Sequence, residues 1–149
     1  MINRERYLEN LVSTANTLRL VILLYDKAVA SLKLAAEIME KPEPSPEEIN
    51  RKYEALGRAG EILAVLEGTL DLDRGGEIAR NLREIYEALS AELLRVTAQD
   101  DPETVRRMVK VLSDLREAWA EAEVNLKKEG KLAPEGRSGG RSAGLTATL

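Results

Sequence analysis

The feature that most constrains this chain is the spacing of apolar residues between Leu18 and Met39. Leu18, Val21, Tyr25, Ala28, Leu32, Ala35 and Met39 recur at alternating steps of three and four. That spacing puts them on one stripe of an α-helix and specifies lengthwise packing against other helices. Over the start of the stripe runs a block of six consecutive apolar residues, from Leu20 to Tyr25. A surface helix needs an apolar stripe of only about 100° to face its core, whereas six residues in a row surround the axis. Leu20, Leu23 and Leu24 cannot all face the core together with Val21 and Tyr25. The surplus is either covered by the rest of the fold or kept for a partner, and the pattern leaves both open.

Three further stretches repeat the helical period. Pro42, Pro44 and Pro46 stop the first helix near Lys41, and Ser45-Pro46-Glu47-Glu48 joins an N-cap, a first-turn proline and a capping-box glutamate. The helix that follows carries Ile49, Tyr53, Leu56, Leu63 and Leu70, with Ala59, Ile62 and Leu66 beside them. Gly57, Gly60 and Gly68 interrupt it, each costing about 1 kcal/mol against alanine, and so mark tight packing or a groove. The segment from Leu70 to Gly76 reads as a connection with Asp73 as the next cap. Ile78, Leu82, Ile85, Leu89, Leu93 and Val96 form the third stripe. Asp101 caps the last helix and Pro102 opens it, with Val105, Met108, Leu112, Leu115, Trp119, Ala122 and Leu126 in register and Gly130 as the stop.

Four long amphipathic helices joined by short turns predict an all-α, antiparallel up-down four-helix bundle with shallow left-handed crossings of roughly 20°. The expected domain spans residues 1–130, and residues 1–15 form a short N-terminal cap segment. There Tyr7, Leu8, Leu11 and Val12 share a face if helical, but the segment is too short to hold a helix unaided and is expected to dock on the bundle. Residues 131–149, poor in large apolar side chains, are expected to form a flexible tail.

Composition narrows the chemistry. The 149 residues include no cysteine and no histidine, which excludes disulfides, thiolate nucleophiles, zinc sites of the usual ligands and histidine relays. No constellation of the remaining carboxylates, lysines and tyrosines suggests catalysis, so no catalytic, cofactor or metal residues are assigned and the chain is expected not to be an enzyme. A net charge of −4 argues against nucleic acid or an anionic membrane as the main partner. No run of 18 apolar residues and no signal-peptide pattern is present, so a soluble cytoplasmic protein is expected.

The order of residues adds a resemblance. Tyr7, Val12, Thr14-Ala15, Leu20 and Leu23-Leu24-Tyr25-Asp26 resemble the N-terminal signature of the flagellar export chaperone family FliS. Leu70-Asp71, Gly75-Gly76-Glu77-Ile78-Ala79, Asn81-Leu82 and Tyr86 are similar to its middle signature. Leu93-Leu94, Asp101, Leu112 and Glu117-Ala118-Trp119 are similar to its end, so the likeness runs from about Tyr7 to Leu126. The chain departs from the family pattern at Asn16-Thr17, Lys27, Val96-Thr97, Arg106, Arg107 and Val109.

The resemblance implies a cytosolic bundle that binds the disordered C-terminal segment of flagellin, blocks premature polymerisation and hands the cargo to a component of the type III export gate. No cofactor is expected, and the chain is expected to be a monomer or weak homodimer. It also implies that the N-terminal segment lies over part of the cargo groove and links Tyr7 to cargo. The expected partner-binding residues are Tyr7, Leu8, Leu11, Leu20, Leu23 and Leu24. The rival expectation is a regulatory or structural adaptor that homodimerises through the first helix.

Overall fold

A computed structural model describes residues 15–128. Among the described residues there are four helices and no strand: α1 (Ala15–Met39), α2 (Pro46–Gly68), α3 (Leu72–Ala98) and α4 (Pro102–Lys128). Their direction can be read from ion pairs along one seam. Arg19 meets Glu123, Asp26 meets Arg116 and Glu40 meets Arg106, so ascending numbers in α1 oppose descending numbers in α4. Each helix packs on its neighbour in sequence, and α4 closes back on α1. The result is the expected antiparallel four-helix bundle, a ring in which α1 and α3 stand diagonally opposed.

The stripe on α1 is buried as its spacing requires: Leu18, Val21, Tyr25, Ala28, Leu32 and Ala35 face the core, and Met39 is partly covered. Ile22 joins them, fully buried. From the diagonal, α3 contributes Leu82, Tyr86, Leu89, Leu93 and Val96, while α4 contributes Val105, Met108, Leu112, Trp119 and Ala122. Burial of such side chains at about 25 cal/mol per Å² is the main stabilising contribution. Three aromatic groups cross this core. Trp119 Nε1 donates to Tyr25 Oη at 3.1 Å, and Tyr25 Oη shares a hydrogen bond with Tyr86 Oη. Burial pushes the Tyr25 phenol above its ordinary value, opposed by the bonds from Tyr86 and Trp119. With its polar atoms joined, the triad fills the centre without orphaned groups.

Helix α2 starts where the sequence predicts. Ser45 accepts from the Glu48 backbone N–H at 3.1 Å, and Glu48 accepts from the Ser45 N–H at 2.9 Å. Its stripe, however, is shifted. Ile49 and Tyr53 are exposed, and Lys52 is buried in their place. The lysine stem lies against the bundle while Nζ reaches Asp100 at 2.9 Å and sits over the Tyr53 ring, so an amphipathic side chain does the work expected of an aromatic one. The glycines divide: a Cβ on Gly60 would approach Leu93 at 3.2 Å, whereas at Gly57 and Gly68 it would meet nothing within 4 Å. Gly60 therefore marks close packing of α2 on α3, and the other two do not.

The start of α3 also differs from expectation. Asp71, not Asp73, is the cap, its carboxylate accepting from the backbone N–H groups of Asp73 and Arg74. A short first turn begins at Leu72, and non-helical Gly76 (φ 58, ψ −134) separates it from the long helix that continues to Ala98, so the expected connection up to Gly76 survives as that break. That backbone region is reserved for glycine. At the other end Asp101 accepts from the Thr104 N–H at 3.1 Å, the cap predicted for α4. Leu126 falls within α4, but its side chain lies outside the described residues.

Candidate functional site

The four seams of the ring are unequal. Helix α1 packs extensively along both α2 and α4, α3 packs less on α2, and α3 and α4 approach each other least. Helices held apart expose what their inner stripes leave uncovered. On α3, Ile85, Ala88, Leu89 and Glu92 are separated by steps of three, one and three, and on α4, Thr104, Arg107, Met108 and Val111 by three, one and three. Each set is one helix face, and together they line a groove of about 400 Å³ between α3 and α4. Its floor is apolar, with Leu89 and Met108 buried, Ile85 partly buried and Val111 38% exposed. A methionine there is suited to irregular partners, because its unbranched thioether repacks readily.

The groove ends at the α3–α4 turn in a polar cluster. Thr104 Oγ1 donates to Asp101 Oδ2 at 2.7 Å, Arg95 donates to Asp101 Oδ2 at 3.1 Å and to Thr104 Oγ1 at 3.0 Å, and Arg107 donates to Thr104 Oγ1 at 2.9 Å. The Thr104 side-chain and backbone donors, with Arg95, hold the Asp101 carboxyl down at about 2. A charged rim over an apolar floor gives register to a docked helix and burial to its apolar face.

A second apolar surface lies on α1. Leu20 is 61% and Leu23 47% exposed, whereas Leu24 is half-buried against the core. The six-residue run is thus divided: Val21, Ile22 and Tyr25 go inward, Leu20 and Leu23 outward. Arg58 Nε donates to Ser31 Oγ at 3.1 Å, which sets the antiparallel register of α1 and α2. Two turns along, the same register brings Val65, 51% exposed, level with Leu24. The structure does not bring Leu20 and Leu23 into the α3–α4 groove, since their face points away from α3. Tyr7, Leu8 and Leu11 lie outside the described residues.

The groove residues went unselected in the sequence because Ile85, Leu89 and Met108 read as ordinary core. Their signal was an excess of apolar residues on α4, where Val109 and Val111 accompany the regular stripe. Among the described residues no helix is long and apolar enough to cross a membrane, and no group of three or more acidic side chains is arranged to hold a metal.

The chain is thus an antiparallel four-helix bundle with an apolar, charge-rimmed groove between α3 and α4. A family model described as flagellar protein FliS matches residues 1–126, and this chain belongs to that family. It is 32% identical over 112 residues to the flagellar secretion chaperone FliS of Salmonella typhimurium, covering 74% of this chain and 79% of that one. The flagellar secretion chaperone FliSB of Pseudomonas aeruginosa is likewise 32% identical over 112 residues, covering 75% and 85%. FliS of Bacillus subtilis is 27% identical over 116 residues, covering 78% and 82%.

Proposed function

We propose that this chain is a cytoplasmic export chaperone that holds the disordered C-terminal segment of flagellin, prevents its premature polymerisation and passes it to the flagellar type III export gate. Membership of the FliS family across residues 1–126 is the observation that carries the reading, and the α3–α4 groove supplies a place for a cargo helix. The work is non-covalent. Folding a disordered segment on a surface costs on the order of 2–5 kcal/mol or more of the gross interaction, which apolar burial along grooves offsets at about 25 cal/mol per Å². Tyr7, Leu8 and Leu11, with Leu20, Leu23 and Leu24, are proposed as further contacts, the N-terminal segment acting as a displaceable cover.

Titration calorimetry with a peptide of the last few dozen residues of the cognate flagellin tests this. We expect one peptide per folded chain, weakened at least tenfold by Val111→Asp in the groove floor. A folded bundle that takes up no heat overturns the proposal. The exposure of Leu20 and Leu23 favours a second reading, an adaptor that dimerises through α1. That reading predicts a concentration-dependent dimer lost in Leu20→Asp, with no affinity for the flagellin peptide.

A further inference from the structure

We propose that α3 is the moving helix of this bundle: jointed at Gly76 and pivoting at the 99–101 turn, it swings away from α4 to lengthen the groove for a cargo helix. This inference rests on the flagellin reading and goes beyond it, because a static groove would satisfy that reading equally well. Four observations carry it. Among the described residues α3 has the least interhelical packing of the four, modest on α2 and smallest on α4, while α1 packs extensively on both α2 and α4. Its first turn is joined to the rest at Gly76, whose positive φ breaks the helical path. The last residue of the helix is followed by Gln99 in an extended conformation (φ −145, ψ 115). Arg95, Asp101 and Thr104 pin α3 to α4 beside that turn, which makes the turn the pivot.

Away from the pivot, a buried polar tie from α3 runs through Tyr86 to Tyr25 of α1, across the diagonal. It works as a latch rather than a weld: a tyrosine–tyrosine bond can be broken and remade without stranding a charge. Opening by this route widens the seam progressively from the pivot toward Leu82 and Ile78. Partly buried Ile78, Ile85 and Leu115 already border that stretch, so the groove grows by exposing residues that are only half committed to the core. Gly76 lets Glu77 onward move while the first turn stays capped by Asp71.

The sequence contains no cysteine, so pairs of spin labels can be placed without background. Glu84→Cys with Asp114→Cys spans the α3–α4 seam, and Lys33→Cys with Glu54→Cys spans α1–α2; all four positions are exposed. Distances are read by pulsed electron resonance on the full chain, free and saturated with the flagellin C-terminal peptide, with binding to each labelled protein verified by calorimetry. The α3–α4 distance should lengthen by at least ~3 Å, a third of an ordinary interhelical spacing, while the α1–α2 distance holds within ~1 Å. Bound peptide with both distances unchanged overturns the moving helix and leaves the flagellin reading intact. No binding by the unlabelled chain overturns both. Independently of any peptide, Tyr86→Phe should raise hydrogen exchange of α3 amides about fivefold, the equivalent of one hydrogen bond, with α1 amides unaffected. No change, or an equal rise in all four helices, overturns the latch.

Discussion

Helices α1 and α3 carry comparable apolar stripes yet are held in very different ways. Helix α1 lies between two partners, α2 and α4, and buries residues on three sides; α3 covers the opposite corner and leaves a groove at its border with α4. The contrast teaches that a stripe measures how much apolar surface a helix has, while its neighbours determine how much of that surface is used. Where neighbours surround the helix, the surface becomes stability. Where a seam is thin, part of it is left as an apolar groove.

Substitutions can sharpen or break this contrast. The largest effect is expected in α1: Leu32→Ala, at a fully buried position, should cost about 2–5 kcal/mol, and Leu89→Ala on the groove side of α3 should fall at the low end of that range or below. Equal losses in denaturant unfolding would remove the distinction between the two helices. Next, Gly76→Ala forces a Cβ into a glycine-only conformation and should cost roughly 1–3 kcal/mol, although no atom lies within 4 Å to clash with it. A thermal midpoint unchanged from the parent would mean that the kink is not needed.

The pH dependence comes next. The Asp101 carboxyl, held at about 2 by Thr104 and Arg95, has a folded value below its unfolded one. It therefore contributes stability above about pH 3.9, and that contribution is lost as pH falls toward 2. Asp101→Asn should flatten the stability profile between pH 4 and 2; an unaltered slope would assign the acid sensitivity elsewhere. The smallest effect belongs to the outward face of α1. Leu20→Ser and Leu23→Ser should each change stability by less than about 0.5 kcal/mol, and a larger loss in urea titration would place those side chains against structure.

Much of this architecture was legible in the residues. The all-helical bundle, the Ser45 box, the Asp101 cap and the core position of Trp119 follow from local chemistry: capping groups satisfy backbone donors three residues away, and a stripe has a fixed angular period. The misreadings arose where two local solutions compete. Asp71 and Asp73 are both competent caps, and Asp71 closes the short turn that precedes the break at Gly76. Lys52 and Tyr53 differ by 100° on a helix; with the lysine inward, its ammonium reaches Asp100, 48 residues away.

The sequence by itself determined the four long helices of the described residues, the Ser45 and Asp101 caps and the inward face of the α1 stripe, because these depend on groups within a turn or two of each other. Only the tertiary structure decided that Ile22 goes inward while Leu20 and Leu23 face outward, and that an apolar groove lies between α3 and α4. Those outcomes depend on the spacing between helices, set by the packing of all four at once: Gly60 admits Leu93 closely on one side of α3, while among the described residues α3 packs least on α4. A periodicity records the direction in which a side chain points, and the distance to the helix it meets is a property of the assembled bundle.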